Sequence, residues 1–237
     1  MVKKLVLLVA LFISIPLIQG NAQKYYHTLG WEFLFQWADV EMSGSNIVSE
    51  PLRFTGFFNL GTYHHLDFSN NIGMYTGLAV RNVGFIYDED IPQKTIRRSY
   101  TLGLPLALKL GSFKDHLFIF GGGEYELLFI YKGKRWMNYE RSGPKLKETQ
   151  WFSNKTERFV PSVFAGVQFP GGINLKFKMY LGDFLNRNYV GPDLGQDNVS
   201  YADFTKINVY YISVSWQFRV DKAMDYIKTD DKFVYNY

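Results

Sequence analysis

Past an apolar run at its start, the chain alternates. Between Trp31 and Trp37 the odd positions carry Trp31, Phe33, Phe35 and Trp37, and the even ones Glu32, Leu34, Gln36 and Ala38. A period of two marks a strand with unlike faces. The pattern returns seven times. Leu52, Phe54, Phe58 and Leu60 oppose Arg53, Thr55, Asn59 and Gly61, and Met74, Thr76, Leu78 and Val80 oppose Gly73, Tyr75, Gly77, Ala79 and Arg81. Even positions from Tyr100 to Leu110 are apolar against Thr101, Gly103, Pro105, Ala107 and Lys109. Tyr125, Leu127 and Phe129 face away from Glu124 and Glu126, and Val163, Ala165 and Val167 from Ser162, Gly166 and Gln168. Leu175, Phe177 and Met179 oppose Asn174, Lys176 and Lys178, and a last segment sets Tyr210, Ile212, Val214, Trp216 and Phe218 against Ser213, Ser215 and Gln217. Eight strands are predicted.

The connections alternate in length. Long polar segments fall near 39–50, 88–96, 132–158 and 184–204. Short ones near 65–71, 111–116 and 169–172 bear Asn70-Asn71, Lys114-Asp115 and Pro170-Gly171-Gly172. Long loops therefore gather at one end and tight turns at the other, the sequence form of an outer-membrane barrel. A lipocalin-like carrier would share the strand count but turn its apolar face inward. Here the polar face holds small residues and isolated charges, which suits a narrow interior. The apolar face carries rings near its ends (Trp31, Trp37, Tyr100, Tyr131, Tyr210, Trp216), as at two membrane interfaces. The expected fold is an all-β, eight-stranded antiparallel up-and-down transmembrane β-barrel over residues 23–218.

The chain start adds a route. Lys3 and Lys4 precede an apolar run from Leu5 to Ile18, too short to span a bilayer, and Gly20 and Ala22 suit a cleavage site. Residues 1–22 are expected to be a signal peptide, residues 219–237 a C-terminal periplasmic extension, and the destination the Gram-negative outer membrane. The absence of cysteine excludes disulfides, thiolate zinc sites, a cysteine nucleophile and a lipidated cysteine. A balance of 26 basic to 22 acidic residues with no dense basic run gives no footprint for nucleic acid, and 18% aromatic content excludes disorder.

The Gly77-Leu-Ala-Val-Arg-Asn-Val-Gly84 strand, the Leu104-Pro105-Leu106 strand and the Gly121-Gly-Gly-Glu-Tyr125 strand resemble the small outer-membrane β-barrel proteins of Bacteroidota, the PorT-like group. The resemblance covers the mature chain and implies a fold, since its motifs form strands and carry no catalytic chemistry. The 19 residues after Phe218 depart from the usual terminal insertion signal.

An eight-stranded barrel encloses a space that side chains just fill. Lumen parity selects Glu32, Glu124 and Glu126 against Arg53, Arg81, Lys109, Lys176 and Lys178. Buried charges pair, so these residues are expected to form a salt-bridge network plugging the barrel, with Arg81 meeting Glu124 or Glu126 and Lys109 near the turn end. No catalytic, cofactor or metal site is expected. His27, His64, His65 and His116 all map to the turn end, away from the outer rim where an acyltransferase would need a base. His64, His65, Asp67 and His116 read as solvated turn residues. Lys132, Lys134, Arg135, Arg141, Lys145 and Lys147 make one long loop basic, which suits either plain solvation or contact with lipopolysaccharide phosphates. The expected role is non-enzymatic: a structural or interaction barrel whose loops or periplasmic face meet lipopolysaccharide or a partner protein of an envelope complex. A secretion or assembly accessory subunit is one form of this. A narrow porin-like channel and a lipocalin-like carrier stand as alternatives.

Overall fold

The computed structural model describes residues 24–220. The leader at 1–22 and all but the first two residues of the 219–237 extension lie outside the described residues. Thirteen strands run in chain order: β1 (Lys24–Met42), β2 (Ile47–Ser49), β3 (Arg53–Thr55), β4 (Leu60–Asp67), β5 (Ile72–Glu89), β6 (Gln93–Ser112), β7 (Leu117–Trp136), β8 (Lys145–Trp151), β9 (Phe159–Gln168), β10 (Ile173–Tyr180), β11 (Val190–Asp193), β12 (Gln196–Ser200) and β13 (Phe204–Arg219). Eight of them form a closed antiparallel ring in the order β1, β4, β5, β6, β7, β9, β10, β13. The last strand returns to the first, from Thr28 opposite Arg219 to Val40 opposite Ile207. Closure leaves the ring without a free edge strand, so the ladder satisfies most of its own backbone, the exception being the gap above Leu60 where β4 stops short of its neighbours.

The alternation has the outcome its chemistry requires. Apolar residues face outward: Leu102, Leu104, Leu106, Leu108 and Leu110 line the outside of β6, with Leu108 62% exposed, and Trp216 on β13 is 65% exposed. Inside, polar and charged side chains are buried, with Lys109 and Lys178 fully so. The face that would form a soluble core is the outer wall.

Several segments differ from the pattern. The 88–96 segment is a tight turn at 90–92 on top of a long hairpin, because β5 and β6 remain paired up to Glu89 and Gln93. The second strand of the ring is β4 at 60–67, and not the stretch from Leu52 to Gly61, of which only Leu60 and Gly61 belong to β4 while Arg53–Thr55 pairs with β1 as a separate fragment. Tyr131 is buried inside, not seated outside: Phe129 is an extra residue opposite the Tyr100–Thr101 step, and this bulge reverses the facing of everything above it on β7. β8 pairs with that upper part of β7, and β11 with β12 forms a separate hairpin in the last loop.

Candidate functional site

The interior is filled in layers. Toward the turn end, Tyr63, Tyr75, Ala107, Phe118, Phe120 and Phe164 pack together. Toward the loop end a larger apolar cluster includes Leu34, Val83, Leu128, Phe184 and Val209. Between them lies the charge network. Arg81 Nε donates to Glu32 Oε2 at 2.9 Å, and its Nη1 donates to Glu124 Oε1 at 2.5 Å and lies 3.8 Å from Glu126. Lys176 meets Glu32 at 3.0 Å; Lys178 meets Glu124 at 2.7 Å and also Glu126. Tyr63 donates to Glu32 at 2.9 Å and Tyr180 to Glu126 at 2.7 Å. Three carboxylates face three cations across the barrel from four different strands, β1, β5, β7 and β10, so the layer is neutral and each ion has a partner. Gly103 makes room for it, since a Cβ there would lie 1.9 Å from Glu124 Oε1.

Six of the eight residues that parity selects are thus in one layer: Glu32, Arg81, Glu124, Glu126, Lys176 and Lys178. The other two lie elsewhere. Lys109 pairs with Asp67 near the turns, donates to the Tyr26 hydroxyl at 3.0 Å, and stands over the rings of Phe113 and Phe118. Arg53 is correctly read as buried but not as a member of the interior network. Its guanidinium donates to Asn82 O at 3.0 Å and Asn82 Oδ1 at 2.7 Å, on the outward side of β5. The reason is that β3 is a fragment beside β1 and not a full barrel strand, so parity there does not decide which side of the wall a long side chain reaches.

His65 and Asp67 also differ from solvated turn residues. Because β4 runs to Asp67, both are buried, and His65 hydrogen-bonds Thr28 Oγ1 at 3.0 Å. Among the described residues no cluster of His, Asp and Glu is arranged to hold a metal ion.

A second ionic cluster caps the interior at the loop end. Arg97 pairs with Asp193 at 2.6 Å, donates to the hydroxyls of Tyr131 and Tyr201, each at 2.7 Å, and to that of Tyr87 at 3.1 Å. Lys155 joins Asp193 at 3.1 Å to Glu148 at 2.6 Å. Burial opposes ionisation of Asp193, but Arg97 and Lys155 outweigh it and hold the carboxyl well below the usual aspartate range. This cluster pins the β11–β12 loop onto the barrel. Arg97 is not among the residues selected from the sequence, although it continues the odd lumen parity of Thr101; its loop partner Asp193 carries no periodic signal.

No protein-family model matches the chain. No curated protein sequence matches it. Among solved structures it is similar to Ail, the attachment invasion locus protein of Yersinia pestis, with 10% identity over 84% of this chain and 100% of that one and a TM-score of 0.34. It is also similar to Neisserial surface protein A, with 9% identity over 84% and 99% of the two chains and a TM-score of 0.36. A third is the outer membrane protein OprG of Pseudomonas aeruginosa, with 12% identity over 85% and 99% and a TM-score of 0.36.

Proposed function

We propose that the chain is a non-enzymatic outer-membrane barrel with a plugged interior, whose work is done at its ends by contact with lipopolysaccharide or with a partner protein of the envelope. The observation that carries this reading is the pairing of an apolar outer wall with a neutral ionic layer inside. Hydrocarbon is the solvent in which that outside is favourable, and an interior crossed by Arg81, Lys176 and Lys178 bound to three glutamates has no place for a stream of ions. The loop end supports an interaction role because Arg97 and Lys155 fix its last loop in place, so it offers a preformed surface. The turn-end location of the four histidines supports the non-enzymatic reading. The strands that resemble the PorT-like group are consistent with an accessory subunit of a secretion or assembly complex, the narrower form of the proposal.

Two measurements test it. The chain refolded into lipid vesicles is expected to run on gels at different positions before and after boiling, and to give no stable conductance steps in planar bilayers. Identical migration would overturn the membrane-barrel reading; steady unit currents would overturn the plug and favour a narrow channel. Crosslinking in native membranes then tests the narrower form, which predicts a discrete protein adduct on the loop or turn end.

A further inference from the structure

The outer wall carries a cleft that the interior network does not explain. It has a volume of about 360 Å³, opens to the outside at the loop end, and is lined by Arg53, Arg98, Lys134 and Arg141 over an apolar floor that includes Ile86 and Ile96. The strand register shows why these residues meet. Ile86 of β5, Ile96 of β6, Lys134 of β7 and Lys147 of β8 form one outward row, and Gly84, Arg98, Lys132 and Thr149 the row beneath it. The next row down is Asn82, Tyr100, Ile130 and Trp151, with Trp151 68% exposed. Cations therefore begin one outward position, roughly 7 Å, above a row holding Tyr100 and Trp151, and Lys132 stands over the Tyr100 ring at 5.2 Å.

The charges are gathered but not compensated. Among the described residues none of the four lining cations forms a salt bridge. Arg53 is 5% exposed, yet its guanidinium hydrogen-bonds only the backbone and side-chain oxygens of Asn82. The Nε of Arg98 is buried with no hydrogen-bond partner. Asp88, one outward position above Ile86 on β5, gives its Oδ2 to Lys94 at 2.8 Å and to Ser49, and its buried Oδ1 has no hydrogen-bond partner, so it does not reach these cations either. The strand register crowds further cations beside them: Lys147 lies opposite Lys134, and Lys132 opposite Arg98. Among the described residues the other buried cations are each met by a carboxylate, except Arg135, which donates to Thr95 Oγ1 at 3.4 Å. A buried guanidinium without an anion is costly, and the residue types present are those that bind phosphate.

We propose that this cleft binds the phosphate-bearing head of an outer-leaflet glycolipid, with Arg53, Arg98, Lys134 and Arg141 holding the phosphate and the apolar wall below receiving the acyl chains. The lipid source is favoured over a soluble anion because the site is amphiphilic. Phe54 and Phe58 are exposed beneath and beside the cations and continue into the apolar belt, whereas a soluble anion would leave that surface bare. This deepens the outer-membrane reading above and rests on it, naming the place where one of the partners docks.

The test uses the full-length barrel in detergent micelles and native mass spectrometry, with bisphosphorylated lipid A, its dephosphorylated form and inorganic pyrophosphate as separate probes. The expected result is one tightly held molecule of the phosphorylated lipid. Arg98→Gln/Lys134→Gln is expected to weaken it by about tenfold or more; Arg98→Lys should retain most of the affinity, and Lys206→Gln, a surface cation elsewhere, all of it. Equal binding of the dephosphorylated lipid, or unchanged binding by the double variant, overturns the site. Pyrophosphate binding as tightly as the lipid overturns the lipid source. Heat-dependent gel mobility, measured on the same samples, reports the barrel itself, so a failed site and a failed membrane reading give different results.

Discussion

Arg81→Met removes the hub of the interior layer while nearly keeping its bulk. Arg81 makes two hydrogen bonds to Glu32, at 2.9 and 3.2 Å, one to Glu124 at 2.5 Å and one to Tyr63 at 3.2 Å. Without it, three glutamates with side chains at most 2% exposed face two lysines, and one negative charge is left buried and uncompensated. Losing one member of a buried ionic group costs about 3–5 kcal/mol. With a urea slope of roughly 1–3 kcal/mol per molar, the unfolding midpoint should fall by at least about 1 M. Arg81→Met/Glu124→Gln separates charge from packing. It restores neutrality, with Glu32 still bound by Lys176 and Glu126 by Lys178, so it should recover half or more of the loss. The assay is urea unfolding of the barrel in vesicles, followed by tryptophan emission and by gel mobility without boiling. An Arg81→Met midpoint within the error of the parent would refute the claim that the layer holds the barrel together. A double variant as weak as the single one would show that lost contacts, and not unbalanced charge, set the cost.

Other substitutions probe separate parts of the same structure. Gly103→Val would drive a side chain into Glu124 and should destabilise by about 1–3 kcal/mol through overpacking, read as a lower urea midpoint with the outer wall untouched. Asp193 is depressed in the folded state, so its contribution is fully present above the ordinary aspartate value of about 3.9 and fades as the pH falls below it. Protease resistance of the 181–203 loop should therefore stay constant from pH 8 to about pH 5 and decline only in stronger acid, whereas Asp193→Asn should expose the loop already at neutral pH. Asn59→Ala removes the acceptor of the buried Asn82 N–H, at a cost of about 1–3 kcal/mol, and should speed hydrogen exchange at Asn82 before any global unfolding.

Most of the architecture was legible because a period of two is a physical constraint on any two-faced sheet. Leu102 through Leu110 could face only one way, and the ionic layer followed from the same parity at Glu32, Arg81, Glu124, Glu126, Lys176 and Lys178. The pattern failed where the phase changes without a mark in composition. At Phe129 one extra residue turns Tyr131 inward, and nothing in Leu127-Leu-Phe-Ile-Tyr131 signals which residue is extra. The Arg97 cap depends on Asp193, some hundred positions away in a loop, and the basic cleft depends on the lateral alignment of four strands, which no single segment contains.

The second strand shows why one error was physically instructive. β4 ends at Leu60, level with Trp31 of β1 and Val80 of β5, although both neighbours continue upward. Above that level the wall would expose unpaired backbone, which neither hydrocarbon nor a packed interior tolerates. Side chains take the place of the missing peptides. Gln36 of β1 accepts from Gly84 N at 2.8 Å and donates to Asn82 O at 3.1 Å, as a paired strand would do with its own amide and carbonyl. Asn59 bridges the same gap: its carbonyl accepts from Glu32 N at 2.9 Å and its side-chain oxygen from Asn82 N at 2.9 Å. Gln36, Asn59 and Arg53 look in the sequence like the polar face of an ordinary strand, because they satisfy the demand that strand would have met. They also turn Arg53 toward Asn82 and hence toward the basic cleft, so the short β4 that misled the periodic reading is what brings the fourth cation to the outer wall.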